Sequence, residues 1–424
     1  MKLRHREKVY FGWYLVVIAA IITLLTNGLR LGIGPFEKPI LSDLSMTRTE
    51  FSMIVALGML VYGAGMPIAG WLLKRFTTRT ILLVGLVLTC IAVLWTVASS
   101  NTISFLFSFG ILLSLGLSFM SPVVMTPIIS KWFIRKRGQA LFYMTTGAMA
   151  GIAVVTPLET ALIHSIGWQY TLLFFGILFL ILVIPSAVFV MREAPVETDS
   201  GEHNQATNQL KKESQMQPKI AWTDALKTKP YWQIVVGLFA CGFSMNLLGS
   251  HAVPMLTDHH FSPAAASFGV GLIGFTAIFS TLALGTIADR YPRKIILGII
   301  YVVRGFGFLG LVFAVTPWQL YIVAIIGGLV WAGSTATASA ILGDLYGVQL
   351  VGILYGWAYF GHQIGGAVGS FLGGWGYEAF GTHVVAFGAT TILLIVAGLV
   401  SFQLPSKLSM PTLPMKHKEM QAKG

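Results

Sequence analysis

Apolar residues run along this chain in blocks of roughly 20, each closed by charge or by a Gly/Pro cluster. Twelve blocks can be read. They lie near 11–34, 51–73, 79–99, 102–129, 138–163 and 168–191, then near 231–256, 266–285, 294–315, 318–342, 352–376 and 383–403. A helix of that length crosses a hydrocarbon layer about 30 Å thick. The blocks are continuous rather than alternating, which excludes a β-barrel, and only helices then satisfy their own backbone in lipid. The expected class is an all-α integral membrane protein with twelve transmembrane helices. One long polar stretch interrupts the series, "REAPVETDSGEHNQATNQLKKESQMQPKIAWTDALKTKP", and reads as a linker. The predicted organisation is a six-helix bundle over 1–191, a linker over 192–230, a second bundle over 231–403 and a tail over 404–424.

Composition agrees with a membrane protein. Only 10% of residues are charged and the mean hydropathy is +0.77, against about 25% charged in soluble domains. The 46 glycines suit close helix contact in lipid. The basic N-terminus ahead of Phe11 resembles a signal region, but the apolar run behind it is too long for one and no cleavage site follows, so it is read as an uncleaved first span. Cys90 and Cys241 both fall inside apolar blocks, which suggests neither a disulfide nor a metal site. The net charge of +12 is explained by its distribution. Alternate connections and the termini hold 24 of the 28 Lys and Arg residues, the opposite side holds Lys38 and Arg48, and Arg30 and Arg304 lie within spans. The positive-inside rule then places both termini in the cytoplasm of a cell-membrane protein, and nucleic acid is not an expected partner.

The two halves repeat. "GWLLKRFTTRT" from Gly70 corresponds to "GTIADRYPRK" from Gly285, 215 positions on, and Gly138, Gly147 and Gly151 correspond to Gly352, Gly361 and Gly365 at 214. "GTIADRYPRK" resembles the loop motif G-x-L-A-D-R-x-G-R-K of the major facilitator superfamily, departing at Ile287 and Pro292; the first-half copy has Lys74 where the motif has aspartate. "GPFEKPILSDLSMTRTEFS", "KWFIRKRGQALFYMTTGAMAG", "AWTDALKTKPYW" and "CGFSMNLLGSHAVPML" resemble the monocarboxylate-porter-like and oxalate/formate-like branch. The resemblance implies two pseudo-symmetric six-helix bundles with a substrate site between them near mid-membrane. It also implies that Asp289, Arg290 and Arg293, with Lys74 and Arg75 in the weaker first-half copy, brace the cytoplasmic helix ends and gate alternating access. Asp344, at a cytoplasmic helix end, joins that set.

Ionisable residues inside spans are costly and face a cavity or a partner. Arg30 lies 19 residues past Phe11, about 28 Å along its helix, and is either an outer cation for a carboxylate or the partner of Glu159. Its third reading reaches the headgroups or caps Glu37. His251, at similar depth in the counterpart helix, suits an anion or a coupled proton, or is a neutral imidazole held by a backbone carbonyl. Asn246 need not share its face. His362 and Gln363 are mid-span ligand candidates or interhelical hydrogen bonders. Tyr143 and Tyr359, at comparable depth, offer a hydroxyl to a carboxylate or simply pack. Glu159 can carry a proton, and Arg304 reads as structural.

Neither a phosphate loop, a nucleophile elbow nor metal-spaced ligands occur, so no enzyme and no cofactor is expected. Gradient-driven transport remains. The expectation is a proton-coupled symporter of a small organic anion, monocarboxylate-like, working as a monomer in membrane lipid. Proton-coupled efflux of an amphipathic drug or metabolite, and a non-transporting receptor on the same fold, are the alternatives.

Overall fold

The helices start and stop where the sequence supplies caps and breaks. A computed structural model describes residues 11–133, 137–191 and 221–405; the expected N-terminal segment, most of the linker and most of the tail lie outside the described residues. The first crossing is α1 (Phe11–Leu31), followed by a 3-10 turn at Gly34–Phe36 and a short α2 (Glu37–Leu44) that the apolar pattern did not reveal. A capping box of Thr47 with Glu50 opens α3 (Arg48–Leu72), and Thr77 accepts from Thr80 N–H to open α4 (Thr78–Val97), each offsetting an orphan backbone donor. The fourth crossing is composite. It comprises α5 (Thr102–Phe105), a π-helical turn at Leu106–Leu113, α6 (Ser114–Phe119) and α7 (Pro122–Trp132).

Next comes α8 (Arg137–Pro185), which is two crossings divided at Gly167, where φ is 82° and a side chain would be strained. In the second half, α9 (Trp222–Ala225) leads into α10 (Lys229–Asp258), α11 (Pro263–Arg290) and α12 (Arg293–Phe313). The tenth crossing breaks between α13 (Pro317–Leu329) and α14 (Gly333–Tyr346), and α15 (Val348–Phe380) and α16 (Val384–Phe402) complete the set. Twelve crossings result among the described residues, as the apolar blocks predict.

Apolar packing divides with the sequence repeat. One buried cluster draws on residues from Leu15 to Met191 with only Ala367 from beyond, and a second draws on Ala225 to Leu404 with Leu31 and Ile152. Equivalent glycines make equivalent contacts in each. A methyl group on Gly147 would sit 2.2 Å from the Ala20 carbonyl oxygen and one on Gly151 2.5 Å from that of Leu24. In the second half one on Gly361 meets Val235, and one on Gly365 would sit 2.1 Å from the Phe239 carbonyl oxygen. At Gly151 and Gly365 the internal repeat is therefore a repeated backbone-to-backbone crossing, of α1 on α8 and of α10 on α15, with no room for a side chain. Gly365→Val is expected to force α10 and α15 apart and cost about 1–3 kcal/mol, read as a lower unfolding temperature in detergent.

The break in the tenth crossing explains Arg304. The irregular stretch 330–332 leaves carbonyls without helical partners, and Arg304 from α12 donates to the carbonyl of Val330 at 2.7 Å and to that of Trp331. Its remaining contacts are Ser334 Oγ at 3.3 Å, Cys241 Sγ at 3.2 Å and the Trp331 ring at 5.1 Å. This arginine is a structural brace, as its sequence position suggests.

The two halves meet from one end of the molecule to about mid-helix. At that end, which holds residues 32–47, a methyl on Gly249 would sit 2.6 Å from the Leu31 carbonyl oxygen and one on Gly374 2.5 Å from that of Arg48. Deeper contacts are Gly63 against Gln363 and Gly274 against Met149.

Candidate functional site

Arg30 is the chemical centre of the mid-level interface. Its α-carbon is near the 32–47 end of α1, but helical side chains lean toward the helix N-terminus. The guanidinium therefore drops to the level of Met59 and Tyr62 on α3. Nη1 donates to Met59 Sδ at 3.2 Å, Nη2 reaches Asn27 Oδ1 at 3.5 Å, and the guanidinium carbon stands 4.5 Å from the Tyr62 ring centroid. Tyr62 lies 14 residues into α3, about 21 Å at 1.5 Å per residue, so the cation sits deeper than its sequence position implies. A cavity of about 30 Å³, room for roughly one water, opens beside it against Phe109 and Leu113 of the π-helical turn.

The pairing of Arg30 with Glu159 does not form. Glu159 approaches α1 from α8, with Oε2 2.3 Å from where a methyl on Gly32 would lie, while Arg30 faces α3. Both oxygens of Glu159 are buried without a hydrogen-bond partner, and so is Nε of Arg30. Arg30 thus has weak neutral partners and no carboxylate among the described residues.

The second half brings α15 to the same level. Tyr359 lies within electrostatic range of Arg30 and Tyr62 and stacks on His362 with ring centroids 4.8 Å apart. His362 Nδ1 is 3.4 Å from Gln363 Oε1, and Nε2 of each is buried without a hydrogen-bond partner. Tyr359, His362 and Gln363 are therefore neighbours on α15, with Tyr359 in electrostatic range of Arg30. Asn27, Met59 and Tyr62 join them unforeseen, since which face of α1 and α3 meets the interface is not written in either span alone. A half-buried fork cation with spare donors across the interface suits a carboxylate.

Three expected ligands lie elsewhere. Tyr143 is exposed and bonded to Gln139 at 2.9 Å, beside Trp13 near the start of α1, so it is not at the depth of Tyr359. Asn246 Nδ2 donates to the Gly242 carbonyl at 2.9 Å and faces Gly366; its Oδ1 is buried and unpartnered. His251 belongs to the closed end. Its Nδ1 stands 3.0 Å from Glu37 Oε2, and its Nε2 stands 2.8 Å from the Ser370 carbonyl and 3.2 Å from Ser52 Oγ. Helix packing turns it toward α3 and α15, away from Arg30.

Around His251 the closed end is an ionic seam. Arg48 lies 3.5 Å from Glu37 Oε1 and 2.7 Å from Asp258 Oδ2. Lys38 reaches Asp258 Oδ1 at 2.7 Å, and His383 Nε2 reaches Oδ2 at 2.9 Å. The Glu37 contacts have ion-pair distance without hydrogen-bond alignment. Thr49 N donates to Glu378 at 3.2 Å, and the Arg48 guanidinium lies 3.9 Å from the Tyr377 ring. Glu37, Arg48, Asp258 and His383 were absent from the sequence expectations as site residues, because each lies at a helix end where charge is ordinary. Asp258→Asn removes an acid shared by Lys38, Arg48 and the His383 imidazole, partners drawn from both halves. Ser52→Cys is then expected to react at least about tenfold faster with an impermeant maleimide, a conservative share of the effect of breaking such a pair.

At the opposite end Arg293 Nη1 contacts both oxygens of Asp344, at 2.5 and 2.6 Å, a clasp within the second half. Lys74, Arg75 and Arg290 are exposed, with Arg75 5.1 Å from the Trp71 ring. The side chain of Asp289 lies outside the described residues.

Comparison with known proteins agrees with the architecture. A family model described as Major Facilitator Superfamily matches residues 10–290 and 241–421. Over 400 residues the chain is 26% identical to a protein named uncharacterized MFS-type transporter YcxA from Bacillus subtilis (strain 168), covering 92% of each. Monocarboxylate transporter 13 of Bos taurus is 22% identical over 403 residues, 93% of this chain and 89% of that one. Monocarboxylate transporter 2 of Homo sapiens is 24% identical over 296 residues, 67% and 61%. A crystal structure of a bacterial homologue of the human lysosomal transporter Spinster, inward-facing and unoccupied, aligns with a TM-score of 0.67. It covers 93% of this chain and 97% of that one at 15% identity, a likeness of fold alone.

Proposed function

The chain belongs to the major facilitator superfamily and is a multi-pass secondary transporter, and from that premise we propose that it moves a small organic anion of monocarboxylate type with a proton by alternating access. The observation that carries the reading is Arg30: a mid-level cation between the halves with no carboxylate partner among the described residues, faced by Tyr62 and Tyr359. An unpaired, half-buried cation within a span is costly, and an incoming carboxylate supplies the missing charge through two parallel bonds. Names of relatives support the substrate class, since two of them are monocarboxylate transporters. Glu159, buried with both oxygens bare, accommodates the neutral acid best and is our candidate proton carrier.

The basic loops lie on the side of the termini, so the positive-inside rule makes that side cytoplasmic in a cell membrane and the ionic seam the outer gate. The bundles 1–191 and 231–403 would rock about the Arg30 level, with Asp289, Arg290, Arg293, Asp344, Lys74 and Arg75 bracing the inner gate and the chain acting as a monomer.

The test is uptake of labelled short-chain acids into proteoliposomes under an imposed pH gradient. Saturable, gradient-driven uptake is expected. No acid taken up, together with proton-driven movement of an amphipathic dye, would overturn the reading.

A further inference from the structure

The segments "GLRLG", residues 28–32, and "TPLE", residues 156–159, meet where the end of α1 presses on α8. A methyl on Gly28 would sit 2.4 Å from Val155 Cγ2, so the two helices touch there. Thr156 and Glu159, three residues apart and therefore on one face of α8, are carried over Gly28 and Gly32. Three oxygens converge as a result. A methyl on Gly32 would stand 2.3 Å from Glu159 Oε2, 2.6 Å from the Gly28 carbonyl oxygen and 3.1 Å from Thr156 Oγ1. Glu159 is 0% exposed and Thr156 1%. Neither carboxylate oxygen nor the Thr156 hydroxyl has a hydrogen-bond partner among the described residues. The Gly28 carbonyl accepts from Gly32 N–H at 2.7 Å and keeps a second lone pair.

This set is rich in acceptors and poor in donors, because the one hydroxyl hydrogen can serve a single acceptor. A carboxylate, a hydroxyl and a backbone carbonyl are the oxygen ligands that hard cations take, at about 2.3–2.6 Å. Charge selects the valence. One carboxylate neutralises a monovalent ion, whereas a divalent ion would leave net charge buried. Size selects further, since the space exists only because position 32 has no side chain, and a cradle so narrow favours Na+ or Li+ over K+.

We propose that Glu159, Thr156 and the Gly28 carbonyl form a binding site for a small alkali cation, Na+ or Li+, between α1 and α8. The proposal shares Glu159 with the proton carrier suggested above and otherwise rests on the transporter reading, with no particular substrate. Loading is an exchange: the neutral acid gives up its proton as the cation binds, so rising pH favours the cation. Other ionisable groups stand apart. Arg30 of α1 faces α3, Glu37 of α2 faces Arg48 and His251 of α10, His164 lies five residues on along α8, and α11 carries none before Asp289. Helix α4, with Arg79 and Cys90, meets α8 at Gly176 instead, and α7 brings Lys131. None of them hydrogen-bonds to Glu159, and burial alone acts on its charge. The second half covers this place, with Gly249 against the Leu31 carbonyl and Gly271 against Pro157, so opening of the outer end uncovers it.

The test is thermal unfolding in lipid nanodiscs at alkaline pH without organic acid, exchanging choline chloride for NaCl, LiCl or KCl at constant chloride. A saturable rise with Na+ or Li+, and none with K+, is expected for the parent. Thr156→Val keeps charge and shape but loses one ligand and should weaken the apparent affinity at least about tenfold. Glu159→Gln should abolish the response. Equal responses to all three cations in the parent, or the parent's affinity in Thr156→Val, overturn the proposal. Should the variants not fold, binding of radiolabelled sodium to the unmodified chain decides: no saturable binding overturns it equally. Because no acid is present, a negative result leaves the Arg30 reading standing, and a failed acid-uptake assay leaves this site standing.

Discussion

Replacing Arg30 with glutamine is expected to cut gradient-driven acid uptake by at least about a hundredfold while leaving the chain folded. Losing a charge-paired, desolvated partner costs about 2–5 kcal/mol, and 2.7 kcal/mol is already roughly a hundredfold. The native chain holds Arg30 by a thioether, one long amide contact and the face of the Tyr62 ring, so little stability is lost with it. Removing a half-buried charge that lacks a counter-ion can even stabilise. The unfolding temperature of Arg30→Gln in detergent should therefore equal or exceed that of the parent. Arg30→Lys keeps the charge but loses the fork and should fall between. A structural role for Arg30 would give the opposite pair of results, with a lowered unfolding temperature and only a proportionate loss of uptake.

The mirror-image outcome is expected for Arg304. Its contacts are two backbone carbonyls at the 330–332 break, a serine and a cysteine. Arg304→Met leaves two buried carbonyls without donors, at about 1–3 kcal/mol each, so destabilisation of roughly 2–6 kcal/mol is expected. Thermal unfolding in detergent measures it directly. Whatever Arg304→Met protein remains folded should transport with an apparent affinity near that of the parent, because Arg304 touches the Arg30 cluster only through Cys241. A changed KM at unchanged stability would show that the brace reading is wrong. The two in-span arginines thus differ in their partners, Arg304 on two backbone carbonyls and Arg30 on weak neutral groups.

The fold was legible because it follows from local quantities. Apolar length gives each crossing, Thr47, Thr77 and Thr316 cap helices where the pattern turns polar, and the 214-residue glycine spacing shows two like halves. The π-helical turn and the 330–332 break were hidden, since each keeps an apolar composition while changing only backbone geometry, and α2 was hidden because its eight mixed residues lie outside any apolar block. The site was half legible. Arg30, Tyr359, His362 and Gln363 stand out as polar groups in apolar runs, and Tyr359 does come within electrostatic range of Arg30. His251 and Tyr143 stand out for the same reason, yet one lies in the closed seam and the other beside Trp13.

Sequence by itself determined the class, the number of crossings, the internal repeat and the short list of groups too costly to bury without purpose. Each of those depends on composition and spacing along one chain. Only the tertiary structure decided which costly group meets which. Whether Arg30 faces Glu159 or Tyr62 depends on the rotation of α1 between α8 and α3, and whether His251 serves substrate or seam depends on how α10 meets α2 and α15. Those rotations are set by packing summed over many small contacts, glycine crossings among them, and no single residue carries that sum.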